Sequence, residues 1–144
     1  MLKELKIKNL AIIDDLTVRF AKGLNVLTGE TGAGKSIVVD ALGLSLGDRA
    51  QSDLVKSGES EATVQAYFDL EGFDGLQALG IDDSDGLLLR RVVSSGGKSR
   101  AYINDTMVTL QTLSAVGKSL VDILSQHEHQ SLLTQETQLS LIHI

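Results

Sequence analysis

The eight residues Gly29-Glu30-Thr31-Gly32-Ala33-Gly34-Lys35-Ser36 constrain the fold of this chain more than any other stretch. They match the phosphate-loop pattern G-x-x-x-x-G-K-[ST] at every fixed position. An apolar run precedes them at 24–28, and apolar residues follow at helical spacing over 37–46. The sequence therefore predicts a buried strand, a glycine loop and a helix, an arrangement that binds the phosphates of a nucleotide.

Each residue type in this loop has a chemical role in phosphate binding. The glycines let the backbone curl so that successive N–H groups point at phosphate oxygens, and the helix N-terminus adds partial positive charge there. Lys35 is placed to reach the β- and γ-phosphates as a catalytic cation, and the Ser36 hydroxyl to ligate Mg²⁺. The alternative, a glycine turn that carries Lys and Ser by chance, is disfavoured by the strand and helix that flank the loop.

Composition limits the class of protein. The chain has 144 residues, 42% apolar and 22% charged, which suits one globular domain with a core. It has no apolar run as long as a membrane span and no apolar signal segment at its N-terminus. The absence of cysteine excludes disulfides and thiolate metal sites, so we expect a cytoplasmic location. A net charge of −6 disfavours nucleic-acid binding over the whole surface but permits a local basic patch.

Two alternating segments precede the phosphate loop, around Leu5 and Ile7 and over 16–20. Small nucleotide kinases and Ras-like GTPases usually place the loop after their first strand. The two extra strands instead indicate the antiparallel β-subdomain of ABC-type ATPases. Further along, residues 62–70 alternate as a strand does, and 71–85 indicate a loop with one short helix.

A predicted hairpin, 86–93 and 99–104 around a glycine turn, has no acidic residue. It carries four basic side chains: Arg90, Arg91, Lys98 and Arg100. A solvated ribbon and a contact surface for a phosphate backbone remain equally open interpretations. Because successive residues of a strand face opposite ways, at most one of the two adjacent arginines can join any single patch.

The end of the chain suggests one more element of the site. Thr109 is expected to cap a helix over 110–118, and 120–124 to form a short buried strand. A polar run, 125–130, follows directly. Ligand groups gather at the carboxyl ends of strands in α/β sheets, so Gln126 could face the nucleotide. An ordinary strand-to-helix loop is the alternative.

Taken together, several segments resemble the N-terminal part of the RecN family of bacterial DNA repair proteins, relatives of the structural-maintenance-of-chromosomes (SMC) ATPases. They are Leu5-Lys6-Ile7-Lys8-Asn9, the phosphate loop with residues 23–28, Leu46-Gly47-Asp48-Arg49-Ala50, Ser99-Arg100-Ala101-Tyr102-Ile103-Asn104, and Gln126-His127-Glu128-His129-Gln130-Ser131-Leu132-Leu133. The resemblance implies an α/β P-loop NTPase fold, namely lobe I of an ABC/SMC-type head with an antiparallel β-subdomain beside the phosphate-loop sheet. The head would be incomplete in this chain.

The resemblance assigns roles to two further residues. Gln126 matches the glutamine that helps to hold Mg²⁺ and the attacking water, and Arg49 matches an arginine near the nucleotide. The lobe would span 1–138. The last residues, 139–144, do not resemble the family and read like sequencing-adapter read-through, so we expect an artefactual end.

The resemblance also implies partners. Family members carry a coiled coil and a second lobe with the signature motif and Walker B acid. They pair as homodimers with ATP between two heads, and they act on broken DNA in the nucleoid. Because this chain lacks those motifs, we expect it to bind ATP without hydrolysing it. A nucleotide kinase, a transport-type ABC subunit and a nucleotide-gated binding module are the alternatives.

Overall fold

The computed structural model describes residues 1–29, 34–70, 76–77, 80–81 and 85–121. Within these ranges the chain forms six strands and two α-helices, with a 3₁₀ turn at Ser52–Leu54. In chain order the elements are β1 (Leu2–Leu10), β2 (Ile13–Arg19), α1 (Lys35–Ser45), β3 (Glu61–Phe68), β4 (Leu87–Ser94), β5 (Ser99–Ile103), β6 (Thr106–Val108) and α2 (Leu110–Leu120). No helix in the described part of the chain is both long enough and apolar enough to cross a membrane.

The six strands form one antiparallel sheet in the order β2-β1-β3-β4-β5-β6. Strand β1 pairs with β2 on one side and with β3 on the other, and α1 lies in the chain between β2 and β3. From β3 to β6 each strand pairs with the next in sequence. The predicted pair of strands before the phosphate loop and the predicted hairpin at 86–104 are both confirmed.

One face of the sheet forms the hydrophobic core with the two helices. The register places Ile7, Val64, Arg91 and Ala101 side by side across four strands, and all four side chains are buried. Helix α1 contacts β1, β3 and β4, and α2 contacts β5. Residues at the alternate strand positions point the other way, and we call their surface the open face.

Glycines flank helix α1, and α2 begins at its predicted cap. Gly34 precedes α1, and Gly47 follows it with a φ of 103°, the left-handed conformation that favours glycine after a helix. At α2 the Thr109 hydroxyl accepts a hydrogen bond from the Thr112 N–H at 3.1 Å, which confirms the predicted cap.

The helices approach each other closely at the end of α1. A Cβ added to Gly117 would lie 2.3 Å from the Leu46 carbonyl oxygen, and one added to Gly47 would lie 2.6 Å from Ser114 Cα. Close contact therefore requires glycine at both positions, and at Gly47 the positive φ requires it as well. The short segment that leaves α1 is held against α2, and we call residues 46–49 the α1 corner.

Residues 24–28 differ from the sequence prediction, because they are exposed and form no strand. Leu24 is 90% exposed and Val26 75% exposed. A buried strand of an α/β sheet depends on neighbours that pair with its backbone and cover both of its faces. In the described ranges no strand pairs with this segment, so its apolar side chains remain in solvent.

Two further differences lie near the chain's end. Strand β6 was not predicted; it follows a turn in which Asn104 and Asp105 have φ values of 45° and 66°, as a tight hairpin requires. Helix α2 continues through Leu120, so the predicted strand 120–124 is wrong at its first residue, and 122–124 lie outside the described residues. Most of the predicted loop 71–85, Gln126 and the tail 139–144 also lie outside the described residues.

Candidate functional site

The phosphate loop is described at its two ends, and 30–33 lie outside the described residues. Helix α1 starts at Lys35, so the N–H groups of its first three residues have no carbonyl of the helix before them to bond, and the peptide dipoles add up at that end. The Lys35 ammonium donates a hydrogen bond to the Gly29 carbonyl oxygen at 3.0 Å. Its positive charge therefore lies next to Gly29, at the opposite end of the phosphate loop from α1. The neighbouring Ser36 is exposed.

A cavity of about 280 Å³ opens next to this helix end. One wall comes from the β1–β2 hairpin and the other from the phosphate loop and α1. The lining residues are Ile12, Ile13, Leu16, Leu27, Thr28, Gly29, Gly34, Lys35 and Val38. An apolar wall beside an ammonium and a helix N-terminus suits a ligand with a flat apolar part and an anionic tail, as a nucleotide has.

The donor set fits ATP with Mg²⁺. Free N–H groups at the start of α1 and the Lys35 ammonium suit phosphate oxygens, and a hydroxyl such as that of Ser36 suits a hard cation. The described residues include no cluster of three or more His, Cys, Asp or Glu side chains that would bind a metal without the phosphates.

The hairpin residues that line this cavity were not identified from the sequence. Ile12 is 71% exposed at the tip of the hairpin, and the positive φ of Ala11 beside it marks the turn. The signal available in the sequence was the antiparallel pair before the phosphate loop. That pair predicted a neighbouring subdomain without identifying which of its side chains reach the loop.

Arg49, the other residue predicted near the nucleotide, is exposed and lies beyond the C-terminal end of α1. An α-helix of 11 residues is roughly 16 Å long, and Lys35 stands at its opposite end. The structure does not bring Arg49 into the lining of the cavity. Its role at a nucleotide therefore remains a prediction.

The four basic residues of the predicted patch separate into two groups. Arg90 is on the open face, where its guanidinium carbon lies 4.2 Å from the centre of the Tyr102 ring. Lys98 is exposed in the turn, and Arg100 forms a 2.9 Å ion pair with Glu61. The Nε of Arg90 is buried and has no hydrogen-bond partner within the described residues.

Arg91 does not belong to this patch, and its assignment as a surface contact was wrong. Its side chain is 1% exposed because strand alternation turns it toward the helices. The guanidinium NH1 donates to the carbonyl oxygens of Leu44 at 3.2 Å and Asp48 at 2.9 Å, and Nε donates to the Ser99 hydroxyl at 2.5 Å. Burial lowers the pKa of Arg91, and the Asp48 carboxylate opposes that shift.

The open face also carries charges from the first two strands. Glu4 lies between Arg19, with a 3.1 Å ion pair, and Lys6 at 3.3 Å. The hydrogen bond from Arg19, followed by that from Lys6, lowers the pKa of the Glu4 carboxyl. One set of directly paired residues runs across all six strands and contains no carboxylate, and we call it the carboxylate-free row. It consists of Thr17, Lys6, Gln65, Arg90, Tyr102 and Met107.

Comparison with known proteins identifies close relatives by sequence. The chain is 54% identical over 147 aligned positions to the DNA repair protein RecN of Halalkalibacterium halodurans, and 46% identical to that of Bacillus subtilis. Each alignment covers 99% of this chain and 26% of the relative. The chain thus spans about a quarter of the length of these relatives, and the resemblance inferred from its motifs is confirmed.

Comparison with solved structures identifies the fold. A chain from a study of ATP-driven dimerisation and DNA-stimulated activation of SMC ATPases superposes with a TM-score of 0.70 at 23% identity, covering 99% of this chain and 97% of that one. The recombination mediator RecF gives 0.63 at 18% identity, covering 78% of this chain and 29% of RecF. The predicted SMC-type head fold is confirmed. Because the AAA domain family matches residues 4–140, this chain belongs to that family, and its sequence is similar to RecN throughout.

Proposed function

We propose that this chain is the ATP-binding lobe of a DNA double-strand-break repair ATPase. The observation that carries the proposal is the start of α1 at Lys35, with the ammonium across the loop mouth beside a cavity that has one apolar wall. The loop residues Gly29 to Ser36 bind the triphosphate, and Ser36 with Gln126 binds Mg²⁺. The sequence similarity to RecN supports the repair role.

In the proposed mechanism, ATP joins two copies of the head and the closed pair holds DNA. Lys35 and the helix N-terminus neutralise the phosphates, which is the part of phosphoryl transfer that this chain supplies. Hydrolysis also needs an acidic residue that orients the attacking water and a signature motif from the partner head. The 144-residue sequence contains neither motif. We therefore propose that hydrolysis requires other segments, and that the chain by itself is a nucleotide-binding module.

The ATP site is tested by Lys35→Ala. Removal of a charge-assisted bond to phosphate costs about 1.5–3 kcal/mol, so the affinity for Mg²⁺-ATP should fall roughly tenfold to a hundredfold. Titration of a fluorescent ATP analogue measures the effect. Lys118→Ala, an exposed lysine on α2, is the matched control and should bind as the parent chain does. Equal affinity for the Lys35 variant and the control would contradict the proposed site.

DNA contact is proposed for the open face. The carboxylate-free row presents Lys6, Arg90 and Tyr102 together, and a guanidinium stacked on a tyrosine ring offers both charge and an aromatic surface to a nucleic acid. Lys98 and Arg100 lie on the same hairpin. Arg91 is excluded because it is buried on the other face.

This surface is tested by Arg90→Gln with a fluorescently labelled duplex at several salt concentrations. Loss of one phosphate contact should weaken binding and reduce the slope of log K against log salt by about 1. Lys118→Gln, on the helix side of the sheet, is the control and should leave the slope unchanged. A slope that Arg90→Gln does not alter would show that DNA binds elsewhere.

A further inference from the structure

The buried guanidinium of Arg91 occupies a place that an apolar residue would ordinarily fill. Its neighbours at alternate positions of β4 are Leu87, Leu89 and Val93, all of them buried. A charge in such a row is costly unless its donors are satisfied by well-placed acceptors. In Arg91, NH1 donates to two backbone carbonyls and Nε donates to one hydroxyl.

Those carbonyls belong to one short part of the chain. Leu44 is in the last turn of α1, where carbonyl groups carry partial negative charge, and its oxygen also accepts from the Gly47 N–H at 3.2 Å. Asp48 lies in the α1 corner, after Gly47. A single guanidinium therefore caps α1 and fixes the direction in which the chain leaves it toward Arg49.

The corner is also confined from its other side. Gly117 and Gly47 bring the backbone of α2 into direct contact with residues 46 and 47, with no space for an added methyl group. The C-terminal end of α1 is thus held between β4 and α2. Because a helix moves as a rigid rod, a fixed C-terminal end limits where the N-terminal end, with Lys35 and Ser36, can lie.

The third bond of Arg91 connects this anchor to the β4–β5 hairpin. Ser99 is the first residue of β5 and directly precedes Arg100, which is exposed. Its hydroxyl accepts from Nε at 2.5 Å and so orients the guanidinium toward the carbonyls of Leu44 and Asp48. The contacts join hairpin, strand and phosphate-loop helix through one side chain.

We propose that Arg91 is a positioning residue for the nucleotide site: by holding the C-terminal end of α1, it sets the place of Lys35 and Ser36 at the other end. The inference rests on the proposed binding of ATP at that end. It also assigns Ser99 a supporting role, through the orientation of the guanidinium.

The test compares Arg91→Lys and Ser99→Ala in the full 144-residue chain. Lysine keeps the charge but cannot reach both carbonyls and the hydroxyl with a fixed fork of donors. We expect Arg91→Lys to weaken Mg²⁺-ATP binding roughly fivefold or more, within the range common for coupled sites. Ser99→Ala should change affinity in the same direction but less, and it covers the case in which Arg91→Lys fails to fold. Ser95→Ala, on the exposed turn of the same hairpin, is the matched control.

A second readout needs no nucleotide. The Val38 N–H donates to the Gly34 carbonyl in the first turn of α1, far from Arg91. Its hydrogen exchange should accelerate in Arg91→Lys and Ser99→Ala relative to Ser95→Ala at equal global stability. Unchanged exchange in both variants overturns the positioning role. If the parent chain does not bind ATP while exchange still accelerates, the proposed function fails and the positioning role stands.

Discussion

At the residue scale, Arg90 and Arg91 are adjacent in β4, but their side chains lie on opposite faces of the sheet and make different contacts. Arg90 stacks on Tyr102 at the open face, whereas Arg91 is enclosed and bonds the backbone at the end of α1. The sequence indicated that the two side chains oppose each other. It could not indicate which one is buried, because that depends on where α1 packs on the sheet.

The cap of α2 leads to a prediction at this scale. Thr109→Ala removes the acceptor for the Thr112 N–H and should lower the free energy of unfolding by about 1 kcal/mol. Urea denaturation monitored by circular dichroism measures it. Thr109→Ser keeps the hydroxyl and should stay near the parent value. If serine and alanine destabilise the chain equally, the hydrogen bond contributes nothing.

At the scale of elements, the two helices and the α1 corner act as one packed unit. The contact depends on Gly47 and Gly117, since a side chain at either position would overlap backbone atoms of the facing segment. Helix α2 carries Leu113 and Val116 into the core next to this contact. Displacement of α2 would therefore disturb the core and the corner together.

Gly117→Ala tests this packing. Overlap with the Leu46 carbonyl oxygen should cost about 1–3 kcal/mol, toward the upper part of that range because the overlapped atom is backbone. This exceeds the gain of roughly 1 kcal/mol in helix propensity. Thermal unfolding should show a lower melting temperature, while Gln111→Ala, exposed on the same helix, should not. A melting temperature at or above that of the parent chain would contradict the close approach.

The elements also show why part of the fold and site could be predicted. Strands β1 to β5 and the cap of α2 were predicted well because alternation and Thr109 are local signals. Residues 24–28 were not, since a buried strand depends on neighbours that a local pattern does not contain. The same limit applies to Ile12, whose place at the cavity follows from the way the hairpin folds beside α1.

At the scale of the whole molecule, charge is unevenly arranged. The chain has a net charge of −6, yet the open face holds Lys6, Lys8, Arg19, Arg90 and Arg100 against Glu4, Asp15 and Glu61. A summed charge therefore describes this surface poorly. The cavity next to Lys35 lies between the β1–β2 hairpin and α1, and α1 packs on the side of the sheet opposite the open face.

The strand order bears on how the chain reaches this structure. From β4 to β6 every strand pairs with its predecessor, so this part of the sheet can grow strand by strand as the polypeptide leaves the ribosome. Within the described sheet, the long closure is the return of β3 to β1 after the phosphate loop and α1. Because the sequence has no proline, prolyl isomerisation adds no slow phase, and that closure becomes the step expected to set the folding rate.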